Sequence, residues 1–399
     1  MTREEIQQEI LTLKSNSILI EAATGVGKSL ISILKIKDSI SPDGRILVVI
    51  PRLILVENWK QEFIKWGYES LLPQVDFVTY YSYPTLEGRH YDAIIYDECH
   101  HLSERCRKSV PHISSNVNVL LSATVSRDLR DTFNKLFKGL LTYKVPVKSA
   151  MQSGIIPKPR IILIPIALNN SVPNCTYIIK PKATDFFTVN YASWFKNKWN
   201  YFRSRSKKGV RIICTEKQYY NELSSDIELA KRRFQSMPNV RLKSIWLKKC
   251  NDRLKWLSDL KTFYVQSILR HLDNYRTLTF CNGIEQTETL GSHAINSKDK
   301  NASKTLADFN AGKINHITAC NMLDEGINLA DCQIAIFAHF NASERMQIQK
   351  IGRALRHPEP IIILPYFKGT REEEILTEML EQYDKSLIEI QSDPSSVTL

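Results

Sequence analysis

The chain has no long apolar run, no paired-cysteine motif and little glycine, and each absence removes a class of protein. The longest hydrophobic stretches, such as IIILPYF near the C-terminal end, fall far short of the roughly 18 residues that a membrane span requires. Its eight cysteines stand at 99, 106, 175, 214, 250, 281, 320 and 332, with no C-x-x-C pair, which argues against a zinc knuckle or a disulfide framework. Glycine is sparse, at fourteen in 399 residues, and there is no low-complexity tract and no internal repeat. The N-terminal MTREEIQQEI carries acidic residues and no apolar core, so no signal peptide is expected there. These features lead to the expectation of a cytoplasmic protein without a membrane partner.

What is present is charge and alternation. The net charge is +12, and residues 183–270, with 19 Lys and Arg against 7 Asp and Glu, account for all of it. A local excess of this size fits a polyanionic partner, the alternative being a solvated helical surface. The same 88 residues hold 15 aromatics and four of the six tryptophans. Within SWFKNKWNYFRSRSKKG, Trp194, Trp199, Tyr201 and Phe202 interleave with Lys196, Lys198, Arg203 and Arg205. Phe187, Tyr191, Trp194, Phe195, Lys198 and Phe202 fall close to one face if the segment is helical. Basic groups with aromatics suit backbone neutralisation plus base stacking, and Lys207 and Lys208 are the candidate phosphate contacts. Aromatics that instead pack a core of their own are the competing reading.

The first 140 residues alternate strand-like runs (SILIEAA, RILVVIP, DAIIYDE, VNVLLSAT) with the helical patterns KSLISILKIKD and LILVENWKQEFIKW. Continuous Ile/Val runs separated by amphipathic helices predict a parallel sheet covered on both faces. MQSGIIPKPR interrupts the pattern, and a second alternating set follows in RIILIPIAL, TLTFCN, HITACN, CQIAIFAH and PIIILPY. The expected architecture is α/β, with two tandem parallel-sheet domains over 1–150 and 151–399, and a basic, aromatic-rich, mostly helical insertion over 183–270.

Two short segments carry chemistry. Ala22-Ala23-Thr24-Gly25-Val26-Gly27-Lys28-Ser29 follows a predicted strand and opens a predicted helix, the context of a phosphate loop. Gly25, Val26 and Gly27 supply backbone N–H groups, Lys28 reaches the β/γ-phosphates, and the Ser29 hydroxyl ligates Mg²⁺. Ala22 stands where the usual motif begins with glycine. In YDECHH, a strand delivers Asp97 and Glu98 to the sheet edge, Asp97 to hold Mg²⁺ and Glu98 to polarise the attacking water.

GVGKS, DECH and Ser122-Ala123-Thr124 resemble motifs I, II and III of the superfamily 2 helicases, in order. Gln349-Lys350-Ile351-Gly352-Arg353-Ala354-Leu355-Arg356 is similar to motif VI, Asp324-Glu325-Gly326-Ile327-Asn328-Leu329 to motif V, and LTFCNGIEQTETLG to motif IV. Ile50-Pro51-Arg52 and Thr79-Tyr80-Tyr81-Ser82 stand where motifs Ia and Ib belong. The DECH box and the GRALR ending resemble phage recombination-repair and excision-repair helicases more than DEAD-box RNA helicases, and this resemblance implies a monomer in the cytoplasm of a bacterial or phage-infected cell. The resemblance implies two RecA-like domains with ATP and Mg²⁺ bound between them. It assigns Gln349, Arg353 and Arg356 to the γ-phosphoryl group, Gly326 and Asn328 to the nucleotide, and Gln7 or Gln8 to adenine. Asn328 replaces the more usual Asp of motif V. The resemblance further implies that Arg52, Thr79 and Asn282 touch a nucleic-acid strand, with DNA favoured and RNA open. The implied activity is an ATP-dependent helicase or translocase, against an ATP-gated clamp or a motor subunit that does not unwind. A protein partner at the insertion is a further expectation.

Overall fold

The computed structural model describes residues 2–23, 25–53, 55–203, 208–291, 293–295, 301–320, 332–340, 357–381, 383–394 and 397–399. In the first part of the chain, α1 (Arg3–Thr12) is followed by β1 (Ser17–Ala22), α2 (Lys28–Ile36), β2 (Ile46–Ile50), α3 (Leu55–Lys65), β3 (Val75–Thr79) and β4 (His90–Tyr96). Then come α4 (Glu104–Ser109), β5 (Ser114–Ser122), α5 (Arg127–Leu136), β6 (Leu141–Val145) and α6 (Val147–Gln152). The six strands form one sheet in the order β3-β2-β4-β5-β1-β6, with every pairing parallel.

Alternate residues of each strand enter opposite cores, which is why these strands read as unbroken apolar runs. Ile18 and Ile20 of β1 join Ile46, Val48 and Ile50 of β2 on the face covered by Ile33 of α2 and Phe63 of α3. Leu19, Leu47 and Val49 project to the other face, against Cys106 of α4 and Phe133 of α5. The expected parallel sheet is present, and it also contains β3 and β6, whose more polar sequences VDFVT and LTYKV carry a weaker signal.

The second sheet has the order β12-β13-β11-β14-β15-β7-β16 and is again parallel throughout. It is built from β7 (Arg160–Ile166), β11 (Thr277–Phe280), β12 (Ala294–Ile295), β13 (His316–Ala319), β14 (Ile334–Phe337), β15 (Ile361–Phe367) and β16 (Ile388–Ile390). Helices α10 (Ile284–Leu290), α11 (Ala302–Asn310) and α12 (Arg371–Leu380) complete this part among the described residues.

Between β7 and β11 lies a separate small sheet. Its strands β8 (Cys175–Ile179), β9 (Phe186–Asn190) and β10 (Gly209–Cys214) run in the order β8-β10-β9, antiparallel at β8 and parallel at β9. Helices α7 (Tyr191–Arg203), α8 (Glu216–Ser236) and α9 (Val240–Leu269) accompany it. The single aromatic face expected here does not form. Phe187 belongs to β9, and Asn197, at φ −115°, kinks α7. Trp194 is fully buried against Ile212 and Cys214, so it packs a core of its own. Lys198 ion-pairs with the buried Glu222.

The C-terminal half of α9 is anchored in the second unit. Its Lys261 Nζ lies 2.7 Å from Glu372 Oε1 of α12, both side chains wholly buried, and 4.3 Å from the Phe340 ring centroid. Phe367 N–H donates to the other Glu372 oxygen at 3.1 Å. Burial lowers the Lys261 pKa and raises that of Glu372, while each charge opposes the shift of the other. No described helix is long and apolar enough to cross a membrane.

Candidate functional site

The C-terminal edge of the first sheet collects the candidate residues. Following the strand order β3-β2-β4-β5-β1, that edge presents Thr79, then Arg52, Asp97 with Glu98, Ser122, and the 22–29 loop. Gly25 at φ +90° and Gly27 at φ +95° take the left-handed backbone that turns a loop tightly, a conformation a side chain disfavours. Gly27 caps α2, so the N-terminus of that helix points at the loop. Ala22 ends β1 as a buried strand residue, where a methyl group is accommodated. Val26 is buried, and Lys28 Nζ donates to the Ala22 carbonyl at 2.7 Å, folding over the loop. Ser29 lies in the first turn of α2. Thr24 is outside the described residues.

Of the two candidate glutamines, Gln7 lies at the loop. Its Nε2 is 3.1 Å from the position a Cβ would take on Gly27, whereas Gln8 is exposed. The segment leaving α6 covers the other side. Ile156 Cγ2 is 3.5 Å from a Cβ built on Gly25, and Arg3 Nη2 donates to the Ile155 carbonyl at 3.1 Å.

At the end of β4, Asp97 is held from two sides. Trp59 Nε1 donates to its Oδ2 at 2.9 Å, and the Tyr80 hydroxyl donates to its carbonyl at 2.7 Å. Burial and the neighbouring Glu98 push the Asp97 pKa up to about 6, against the Trp59 hydrogen bond and the Lys28 charge, which favour the carboxylate. Glu98 sits at φ +48°, a left-handed conformation uncommon outside glycine, and this turns the chain directly after the strand. Its Oε2 is 3.3 Å from His100 Nδ1, and the same nitrogen is 3.1 Å from Ser122 Oγ. Ser122 in turn donates to the Thr124 carbonyl at 2.9 Å. His100 therefore joins the DECH segment to the Ser-Ala-Thr segment.

Sequence reasoning missed Trp59 and His100 as partners of the two carboxylates, and Tyr80 as the partner of the Asp97 carbonyl. It also missed Glu21, a buried charge whose Oε2 accepts from Arg130 at 2.6 Å and whose Oε1 lies 3.2 Å from Lys144 Nζ. The available signal was one acidic residue closing the apolar run SILIEA. In the sheet, Glu21 is in register with Ser122 on one side and Lys144 on the other.

The candidate strand contacts are less gathered. Arg52 is exposed just after β2, and Thr79 ends the neighbouring β3. Asn282 follows β11 in the other sheet, its N–H donating to Gln286 Oε1 at 2.9 Å. Lys208 is exposed but ion-paired with Asp185 at 2.8 Å, away from these edges at the start of β10. Lys207, Gly326, Asn328, Gln349, Arg353 and Arg356 lie outside the described residues.

Comparison with known proteins agrees with the two parallel sheets. The sequence model of the Helicase conserved C-terminal domain matches residues 260–358, and that of the Type III restriction enzyme, res subunit, matches residues 2–81. The chain belongs to superfamily 2 of the helicases. Within that superfamily it is similar to the DNA 3'-5' translocase XPB2 of Sulfurisphaera tokodaii, 23% identical over 390 residues, 90% of this chain and 80% of that protein. S. cerevisiae Dbp5 bound to RNA and ADP BeF3 shares the fold with a TM-score of 0.61 at 12% identity, covering 97% of this chain and 89% of that one. A fragment of a putative HsdR subunit of a type I restriction enzyme from Vibrio vulnificus YJ016 has a TM-score of 0.59 at 14% identity, covering 99% and 70%. The superfamily 2 assignment accounts for both parallel sheets and leaves the small sheet and the α8–α9 hairpin as features to be explained from this chain.

Proposed function

We propose that this chain is an ATP-dependent helicase or translocase that acts on DNA, with ATP hydrolysis between its two sheets driving movement along a strand. The observation that carries the reading is the left-handed pair Gly25 and Gly27 ahead of α2, with Lys28 folded over the loop and its charge felt at Asp97. Loop N–H groups and Lys28 are suited to hold the β/γ-phosphates, while Gln7 beside Gly27 is placed to read the base. The oxygen donors of Ser29 and Asp97 suit a hard divalent cation, and Mg²⁺ held there with the substrate would neutralise phosphate charge. Glu98 takes the proton of the attacking water, oriented by His100, which is itself fixed on Ser122. Arg353 and Arg356 are assigned to the γ-phosphoryl oxygens, a contribution worth roughly 10³–10⁵ in rate. Supplying those arginines from the second unit would make hydrolysis depend on the two units closing.

DNA is favoured over RNA by the similarity to a DNA translocase and by no single residue. A second reading, a motor subunit that translocates without separating strands, is favoured by the match of residues 2–81 to a restriction-enzyme subunit family. The test is ATP hydrolysis by the purified chain alone and with single-stranded DNA, duplex DNA, branched DNA or RNA. Stimulation by DNA, abolished in Lys28→Ala, supports the proposal. Stimulation by RNA alone overturns the substrate, and Lys28→Ala turnover within about tenfold of the parent overturns the phosphate-loop role. Strand displacement on a tailed duplex then separates a helicase from a motor subunit.

A further inference from the structure

Helices α8 and α9 form an antiparallel hairpin joined at Met237, Pro238 and Asn239. The register is set by Tyr219 against Trp256, Arg253 Nη1 donating to Ser224 Oγ at 2.9 Å, Lys249 paired with Asp226 at 2.9 Å, and Phe234 stacked on Trp246 at 5.8 Å. Burial divides the hairpin sharply. The buried residues of α8 end at Ala230, and those of α9 begin at Leu254. No residue between them is buried, over a length of helix of about 10–20 Å at 1.5 Å per residue.

The composition of that end is one-sided. Residues 229–251 contain seven Lys and Arg and no Asp or Glu. Arg232 and Lys249 reach back to Glu228 and Asp226. Lys231, Arg233, Arg241, Lys243 and Lys248 have no carboxylate within ion-pair distance among the described residues, and all but Lys231 are exposed. Arg241 and Lys248 fall two turns apart, on one face of α9. A solvated helix surface ordinarily mixes both signs; five unpaired cations on one end repel one another and gain by meeting a polyanion.

The type of polyanion follows from the aromatics. A surface for single strands offers exposed rings on which bases stack. Here Phe234 and Trp246 are stacked on each other and half-buried, and the large exposed apolar residues of the tip are aliphatic, with Met237 67% and Val240 86% exposed. Cations without available rings suit the phosphate backbone of a paired helix, and exposed aliphatics at the leading turn suit contact with a groove or a fork.

We propose that this end of the α8–α9 hairpin docks on the backbone of a nucleic-acid duplex, independently of sequence and of bound nucleotide. This goes beyond the ATPase reading and does not need it, since the test contains no ATP. The full-length chain carrying Arg233→Glu, Arg241→Glu, Lys243→Glu and Lys248→Glu is titrated with a short labelled blunt duplex, and separately with one of its single strands, from about 50 to about 200 mM salt. Duplex binding is expected to weaken by about tenfold or more at the low-salt end, with the salt slope smaller by about 2 or more, and single-strand binding to change by less than about threefold. A set with the same four positions changed to Ser is expected to fall between parent and reversal, and an unchanged melting temperature certifies the fold of both. Duplex affinity within about twofold and an unaltered slope overturn the proposal. Equal loss on duplex and single strand overturns the assignment to duplex.

Discussion

The indole of Trp59 donates to Asp97 at 2.9 Å, tying the helix that follows the exposed Arg52 to the carboxylate assigned to Mg²⁺. Trp59 is buried, and its ring also packs against Phe63 of the same helix. Replacement by Phe keeps the ring and removes the donor. A hydrogen bond to a charged group contributes about 1.5–3 kcal/mol when its partner is left buried. The expected outcome is a Mg²⁺ concentration for half-maximal hydrolysis raised by about tenfold, together with a lowered unfolding midpoint that reflects the loss of about 1.5–3 kcal/mol. A Mg²⁺ titration superimposable on the parent's would remove Trp59 from the site.

Glu98 and His100 separate binding from turnover. Glu98→Gln keeps the size and hydrogen-bonding capacity of the side chain but cannot take a proton. It is expected to bind ATP and nucleic acid like the parent while turnover falls by about 10²-fold or more. His100→Ala, which removes the link to Ser122 but leaves the Glu98 carboxylate, is expected to lose less. Steady-state hydrolysis together with equilibrium ATP binding gives both readings, and normal turnover in the Gln variant would dismiss Glu98 as the base.

Lys261→Met tests the anchor of α9. It leaves the Glu372 carboxylate buried beside the Phe340 ring without its counter-charge, which costs about 3–5 kcal/mol. Adding Glu372→Gln removes that charge and keeps an acceptor for the Phe367 N–H. Most of the loss is expected to be recovered in the double variant, as read from urea unfolding midpoints. A single variant as stable as the parent would show that the pair contributes nothing.

His316, at the start of β13, introduces an acid-sensitive point into the second sheet. Burial, with His293 nearby, lowers its pKa to about 4, and its Nε2 is 3.1 Å from Thr279 Oγ1. The unfolded chain binds a proton near the ordinary value of about 6.5. Between these values the unfolded state holds more protons, so stability is complete above about 6.5 and falls as the pH drops toward 4, by about 3 kcal/mol in all. In His316→Gln that part of the decline is expected to disappear from melting curves recorded across the interval. A parental pH dependence in the variant would assign the acid sensitivity elsewhere.

Much of the fold was readable because its signals are local. A strand buried on both faces must be apolar at every position, so β1, β2, β4 and β5, and later β7, β14 and β15, stand out as Ile/Val runs. The 22–29 loop was readable for the same reason, since tight turning calls for glycine at set places between a strand and a helix. β8, β9 and β10 were not, because β8 and β9 have few buried residues, β10 is interrupted by the exposed Arg211, and all three are stabilised by pairing across up to 39 residues. The basic excess of 183–270 was visible as a number, but its division between Lys198 beneath Trp194, Lys208 on Asp185 and the unpaired cations of the hairpin tip depends on which carboxylates lie near.

The sequence by itself determined which residues could turn around a phosphate, end a strand in carboxylates, or fill a two-faced sheet. Those properties depend on neighbours along the chain. Only the tertiary structure decided that Trp59 meets Asp97 across 38 residues, that Arg130 meets Glu21 across 109, and that the hairpin tip faces water. Contacts of that range are set by strand order and helix packing, and no local pattern encodes them.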